Sequence, residues 1–538
     1  MTGWNYADIW EQVAEQIPDA PAQAHADRRT TWREFNDRAN GIAKTLLDRG
    51  VVEQDKVAQY LYNCPEYLES VFAAFKAGLV PINTNYRYAD DELAYLWDNA
   101  DTTVVVFHGA FVDTIERIRE RVPRVTTWLW VDDGSGPKPD WAIDYEEAAK
   151  TPTDGNVSAP WGRSGDQLLM LYTGGTTGMP KGVMWRQDDQ IKSVVGSLVP
   201  QVRENPDFDP SVFREQVQGP GMVAVPACPL MHGTGMFTQL LMLCLGGCVV
   251  TLTSRKLDID ELLDTIEREK VNSLAIVGDA FAKPIIRALD ANPGRWDISS
   301  LSAISSSGVM WSQESKDRLL EFHPGMLLLD AFSSSEALGM GQSVSSAGSA
   351  ANTAKFMLGE NAKVITDDWR EVTPGSEEIG RVAVGGFQPI GYYKDEAKTA
   401  ATFVTFEGKR YVIPGDYAQV EADGSLTLLG RGSVCINTGG EKVFPEEVEE
   451  VLKQHPSITD AVAVGVPDEK FGEAITAVVE PAAGTSVDEG EVIGFVKTKL
   501  ASYKAPKRVL SVKTIGRAPN GKVDYKRLKA HARDELGV

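Results

Sequence analysis

The twelve residues Tyr172-Thr173-Gly174-Gly175-Thr176-Thr177-Gly178-Met179-Pro180-Lys181-Gly182-Val183 hold four glycines, three threonines and a lysine directly after the apolar run Leu168 to Tyr172. Glycines let successive backbone N–H groups turn inward, hydroxyls add donors and Lys181 adds positive charge, so the loop can wrap a polyphosphate. It is not a Walker A loop, because Lys181 is followed by glycine and not by serine or threonine. A flexible surface loop is the plainer reading, and the density of donors argues against it.

A second segment, Gly516-Arg517-Ala518-Pro519-Asn520-Gly521-Lys522-Val523, nearly repeats G-x-x-x-x-G-K-[ST]. Val523 lacks the magnesium-binding hydroxyl, and Pro519 disfavours a strand-loop-helix, so the segment reads as an exposed turn presenting Lys522. Around it, from Lys497 to Lys529, eleven Lys or Arg stand against one acid, Asp524. A solvated basic face and a surface for a polyanionic small ligand remain equal alternatives there.

These segments must be carried by a scaffold, and 538 residues exceed one ordinary compact core. Thr31 and Glu34 form a capping-box pattern, after which Phe35, Ala39, Ile42, Ala43, Leu46 and Leu47 recur at helical spacing until Gly50. Short apolar runs (Val104 to Phe107, Leu168 to Tyr172, Val223 to Val225, Leu274 to Val277) alternate with helical segments such as Ile259 to Lys270. The fold class is therefore α/β with a largely parallel sheet. After Gly430 the pattern changes to a compact unit, with a helix from Pro445 to His455, a strand from Ala461 to Val466 and a helix near Glu489 to Leu500. The expected division is 1–430 for a large N-terminal α/β domain and 431–538 for a small α+β C-terminal domain.

Composition narrows the partners. Hydrophobic residues at 43% and charged residues at 24% are those of a globular protein. A net charge of −22 excludes unspecific nucleic-acid binding, since most of the surface repels a phosphate backbone. Nothing at Met1-Thr2-Gly3-Trp4-Asn5 reads as a leader, and no stretch reaches the ~20 apolar residues of a membrane span, so a cytoplasmic location is expected. The five cysteines are scattered, and Cys244 and Cys248 lie in an apolar run where core packing is expected instead of a metal site.

The two chemistry-bearing segments stand in the order and spacing of the adenylate-forming superfamily of acyl-CoA synthetases, luciferases and peptide-synthetase adenylation domains. The resemblance runs from about Thr31 to Leu528. It includes Pro229-Leu230-Met231-His232-Gly233, Phe332-Ser333-Ser334-Ser335-Glu336, Gly391-Tyr392-Tyr393, Tyr411 to Asp416, and Gly430-Arg431 through Gly439-Gly440-Glu441-Lys442.

The resemblance implies a mobile C-terminal lid and a two-step reaction. A carboxylate attacks the α-phosphate of Mg-ATP to give acyl-AMP, and the thiol of coenzyme A then displaces AMP. It assigns Thr173, Gly174, Gly175, Thr176, Thr177, Gly178 and Lys181 to the phosphates, Glu336 to magnesium and Asp416 with Arg431 to the ribose. Phe332 falls to adenine, where tyrosine is usual, with Ser307, Gly308, Ser333 and Ser335 about the nucleotide. Lys522 becomes the catalytic lysine of the first step, and Gly439, Gly440 and Lys442 belong to the face offered in the second. His232 stands at the mouth of the acyl pocket, with Phe237, Val277, Gly278, Leu338 and Gly339 around the acid. Three positions depart from the family: Gly174 replaces serine, Gln187 stands where many relatives have histidine, and Ser433 occupies a hinge position that usually carries Asp or Lys.

Four segments, Lys181 to Arg186, Val277 to Ala282, Ile390 to Asp395 and Arg431 to Asn437, look most like actinobacterial fatty-acyl-CoA synthetases, including ligases acting on steroid side chains. Medium-to-long or bulky alicyclic acids are expected over acetate or amino acids. Alternatives are a ligase for short or aryl acids, an adenylation enzyme loading a carrier protein, and a nucleotide-binding regulator without catalysis. A homodimer is left open.

Overall fold

The computed structural model describes residues 3–173, 179–309, 311–348, 355–438, 441–468, 472–518 and 521–538. The capping box forms as expected. Glu34 N donates to Thr31 Oγ1 at 3.2 Å, Thr31 N donates to Glu34 Oε2 at 2.7 Å, and the helix Trp32–Asp48 follows.

Continuous apolar runs become parallel strands covered on both faces. In an eight-stranded sheet Lys56–Tyr60 lies between Val80–Asn83 and Thr102–His108, all parallel, and Val80–Asn83 leads on to Leu168–Thr173. That last strand turns back antiparallel into Lys181–Arg186, with Thr173 opposite Lys181. The strands on either side of the glycine-rich segment are thus antiparallel neighbours.

A second sheet of fifteen strands joins two halves. Cys248–Thr251, Val223–Pro226, Ser273–Ile276, Ala303–Ser307 and Leu327–Phe332 run parallel in that spatial order. Beyond Leu327–Phe332 the order passes through Gly341–Ser345, Lys355–Leu358, Ser425–Arg431 and Asp416–Val420, all antiparallel. The expectation of a largely parallel sheet therefore holds for most of the eight-stranded sheet and, in this one, only for the first half. Gly341–Ser345 alternates buried and exposed residues, so one face meets solvent and its residues offer no apolar run. One apolar cluster draws on both sheets, from Leu171 and Trp185 in the first to Phe332 and Phe356 in the second, with Phe237 and Leu240 of the helix Gly233–Cys244.

The third sheet has five strands, all between Ile436 and Ser511, covered by the helices Pro445–Lys453, Glu489–Lys499 and Tyr525–Leu536. Next to the end of the second sheet's strand Ser425–Arg431 stands Gly430, with φ +116° and a position where a Cβ would meet Glu446 Oε2, of the helix Pro445–Lys453, at 2.1 Å, so only glycine fits. Among the described residues no helix is long and apolar enough to cross a membrane.

Candidate active site

The sequence-predicted residues converge because most of them follow the carboxyl ends of parallel strands, where open α/β sheets bind ligands. Three strands stand side by side in register, Ile276 opposite Ser306 and Ser307 opposite Ala331. Val277 and Gly278, Ser307 and Gly308, and Phe332 and Ser333 therefore form neighbouring points on one rim, about 5 Å apart per strand. Gly278 N donates to Ser306 Oγ at 2.9 Å, which ties the first two. The neighbouring strand Val223–Pro226 leads to His232, the N-cap residue of Gly233–Cys244. Thr234 Oγ1 of that helix reaches Ser307 O at 3.4 Å, and Phe237 is buried one turn on.

The first sheet meets this rim from the other side. Asn83 closes its strand, and its carboxamide accepts from Tyr172 N at 2.6 Å while donating to Tyr172 O at 2.9 Å and Met231 O at 2.7 Å. One buried amide thus grips the residue before Thr173 and the residue before His232. Asn63 grips the same connection earlier, donating to Pro226 O and Cys228 O at 3.1 Å and accepting from Leu230 N at 2.8 Å. Neither asparagine stands out in the sequence, because only the juxtaposition of the sheets gives it partners.

Glu336 follows the strand that ends at Phe332. Its Oε1 accepts from Tyr392 OH at 2.8 Å, and the preceding carbonyl, of Ser335, accepts from Trp185 Nε1 at 2.9 Å. Leu338 and Gly339 complete the turn, with Gly339 N on Ser333 Oγ at 3.3 Å. Phe332 is 8% exposed, its ring against Phe356 at 5.5 Å. Among the described residues no three His, Cys, Asp or Glu gather as a metal cage. A lone carboxylate still fits magnesium, which keeps its waters and takes one or two carboxylates plus substrate phosphates.

Lys181 pairs with Asp395, and this bond first, with the backbone N–H of Lys398, holds that carboxyl below its usual range. Asp416 is buried and lies directly opposite Arg431 across one rung. Lys442 lies opposite Asn437 in the third sheet. Gly174, Gly175, Thr176, Thr177, Gly178, Gly439 and Gly440 lie outside the described residues. Gln187 points elsewhere: fully buried, it accepts from Tyr6 N at 3.1 Å and anchors the N-terminal helix.

The third sheet brings Lys522 to the rim. Gly521, at φ +72°, lies so close to the large domain that a Cβ would stand 3.2 Å from Val309 Cγ2 and 3.3 Å from Ala280 Cβ and Val277 Cγ1. Lys522 is exposed and its charge reaches His232. Burial, then Lys522, then Arg87 push the partly buried His232 imidazole down to about 3, so it is neutral at ordinary pH. The basic tract is not one free patch, since Lys504, Arg508, Arg517 and Lys529 pair with Glu447, Glu489, Asp460 and Glu473 of the same unit.

A rim with backbone donors, a carboxylate, a neutral imidazole and a lysine can hold an anionic polyphosphate and stabilise charge at a reacting phosphorus. The comparisons agree with that chemistry. The family model of the AMP-binding enzyme matches residues 10–393, and that of the AMP-binding enzyme C-terminal domain matches 447–522. The chain is 40% identical to 3-oxocholest-4-en-26-oate–CoA ligase of Rhodococcus rhodochrous, over 99% of this chain and 96% of that one. It is 39% identical to a medium/long-chain-fatty-acid–CoA/3-oxocholest-4-en-26-oate–CoA ligase of Mycobacterium tuberculosis, over 97% and 95%. Its fold matches the crystal structure of the anthranilate CoA ligase AuaEII in complex with anthranoyl-AMP, with TM-score 0.83 at 20% identity, covering 100% of this chain and 99% of that one. From its rim to its C-terminal unit, the chain belongs to the AMP-binding enzyme family.

Proposed function

We propose that this ATP-dependent, AMP-forming acid–thiol ligase converts medium- to long-chain fatty acids or bulky alicyclic acids, steroid side-chain acids among them, to their coenzyme A thioesters. The observation that carries the reading is the identity of 40% along nearly the whole chain to a ligase named for a cholestenoate. Apolar and very small residues at Val277, Gly278, Leu338 and Gly339 agree with it, because each buried methylene of a lipid acid adds about 0.8 kcal/mol.

In this reading Thr173 and Lys181 hold the phosphates, Asp416 and Arg431 the ribose, and Phe332, Ser307, Gly308, Ser333 and Ser335 surround the nucleotide. Glu336 would hold magnesium, whose positive charge would be available to phosphate oxygens there. Lys522 places a compact positive charge beside the attacked α-phosphate. His232, neutral, lines the entrance to the acid site without repelling Lys522. We divide the chain at 430/431, just before the second sheet ends at Arg431, and take residues 431–538 as a cytoplasmic enzyme's mobile lid. Lid movement then presents Gly439, Gly440 and Lys442 for thioester formation.

The test compares kcat/KM for acetate, hexanoate, dodecanoate, an aryl acid and a steroid side-chain acid. Dodecanoate or the steroid acid is expected to lead. Acetate leading would remove the lipid-like reading and leave the ligase chemistry intact.

A further inference from the structure

The turn that carries Lys522 is built more rigidly than an exposed surface turn requires. Ala518 N donates to Lys522 O at 2.8 Å and Gly521 N to Ala518 O at 2.8 Å, which closes the turn. Arg517 uses three donors at once. Its Nε and Nη2 meet both oxygens of Asp460, at 2.6 and 2.8 Å, and its Nη1 meets Gly521 O at 3.1 Å. Gly521 O belongs to the peptide that enters Lys522, so the guanidinium fixes the plane from which the lysine departs.

Asp460 is itself anchored. It lies where the long strand Ile458–Asp468 shifts register against its partner, between Ile458 and Asp460, and such bulges re-aim a side chain out of the ladder. Its Oδ1 also accepts from Ala461 N at 2.8 Å. The turn is braced on both flanks, by Arg527 Nη2 on Ile515 O before it and by Tyr525 OH on Glu449 Oε1 at 2.9 Å after it. On its open side Gly521 meets the rim at Val277, Ala280 and Val309.

We propose that Arg517 is the positioning residue of the adenylation step, transmitting the rigidity of the third sheet through Asp460 and Gly521 O to the Lys522 ammonium. A planar fork is needed because lysine offers no two parallel donors to a carboxylate while a third reaches a carbonyl. The inference rests on the role given to Lys522 above. It separates Arg517 from Lys504, Arg508 and Lys529 of the basic tract, whose carboxylate partners Glu447, Glu489 and Glu473 are not shared with a carbonyl of this turn.

The experiment measures the two half-reactions separately, acyl-AMP formation from acid and ATP, and thioester formation from supplied acyl-AMP and coenzyme A, in wild type, Arg517→Ala, Arg517→Lys, Asp460→Asn, Lys522→Ala and Arg517→Ala/Lys522→Ala. A misplacement near 1 Å costs about 100-fold. Arg517→Ala should therefore lose about that factor in adenylation, with Arg517→Lys close behind it and Asp460→Asn smaller. Thioester formation should stay within about threefold. In the Lys522→Ala background, Arg517→Ala should add no further loss. Wild-type adenylation in Arg517→Ala, equal loss in both half-reactions, or losses that multiply in the double variant would each overturn the proposal. Retained adenylation in Lys522→Ala itself would instead refute the role of the lysine. Thermal denaturation of each variant normalises rates to folded protein, so a folding defect is read apart from a positioning one.

Discussion

Replacing Asn83 by alanine removes a buried carboxamide and leaves three backbone groups, Tyr172 N, Tyr172 O and Met231 O, without the partner each has now. A buried group deprived of its partner costs about 1–3 kcal/mol. The amide N–H has one hydrogen to place and takes the middle of that range, while each carbonyl keeps a second lone pair and takes the low end. Together they come to about 4 kcal/mol, which a water entering the vacated space reduces to about 3. Urea denaturation reads this directly. Because the lost bonds align the start of the glycine-rich loop with the His232 connection, kcat/KM for ATP in acyl-AMP formation should also fall by about 10- to 100-fold. Asn83→Asp is a sharper probe: a carboxylate still accepts from Tyr172 N but faces two carbonyl oxygens, so it should be worse than alanine above the carboxyl range and partly recover when protonated. A loss under about 1 kcal/mol with unchanged kcat/KM for ATP would refute the reasoning.

Glu336→Gln keeps the side chain's shape and removes its charge, so turnover should fall and the magnesium requirement rise about tenfold; unchanged magnesium dependence refutes the assignment. Gly521→Ala places a methyl group at φ +72° against Val309, Ala280 and Val277, and should slow adenylation several-fold more than thioester formation when the half-reactions are measured apart. For His232, the folded value near 3 lies below the ordinary value of about 6.5. Its contribution to stability is thus full above about pH 6.5 and is lost as pH falls toward about 3, because the unfolded chain binds the extra proton. The denaturation midpoint should drop more steeply between about pH 6.5 and 5 in wild type than in His232→Gln, and equal slopes would contradict it.

The parts of the site written in consecutive residues were legible in the sequence. The glycine-rich loop announces itself because its donors are local, and the turn before Lys522 does so because glycine and proline punctuate it. The residues that align these parts were not legible. Asn83 grips Tyr172 and Met231 across 89 and 148 residues, and Arg517 finds Asp460 across 57. Such partners exist only once the sheets are paired. The same holds for the antiparallel half of the second sheet, where strands such as Gly341–Ser345 and Asp416–Val420 alternate in burial and give no continuous apolar signal. Gln187 is the reverse case, conspicuous as a departure from relatives yet spent on the N-terminal helix.

The most direct test of the ligase account follows AMP and acyl thioester together, with dodecanoate or a steroid side-chain acid as substrate, in the presence and absence of coenzyme A. The account predicts sustained AMP release only with coenzyme A, one thioester formed per AMP. Sustained AMP release without coenzyme A, or AMP release with no matching thioester, would contradict it.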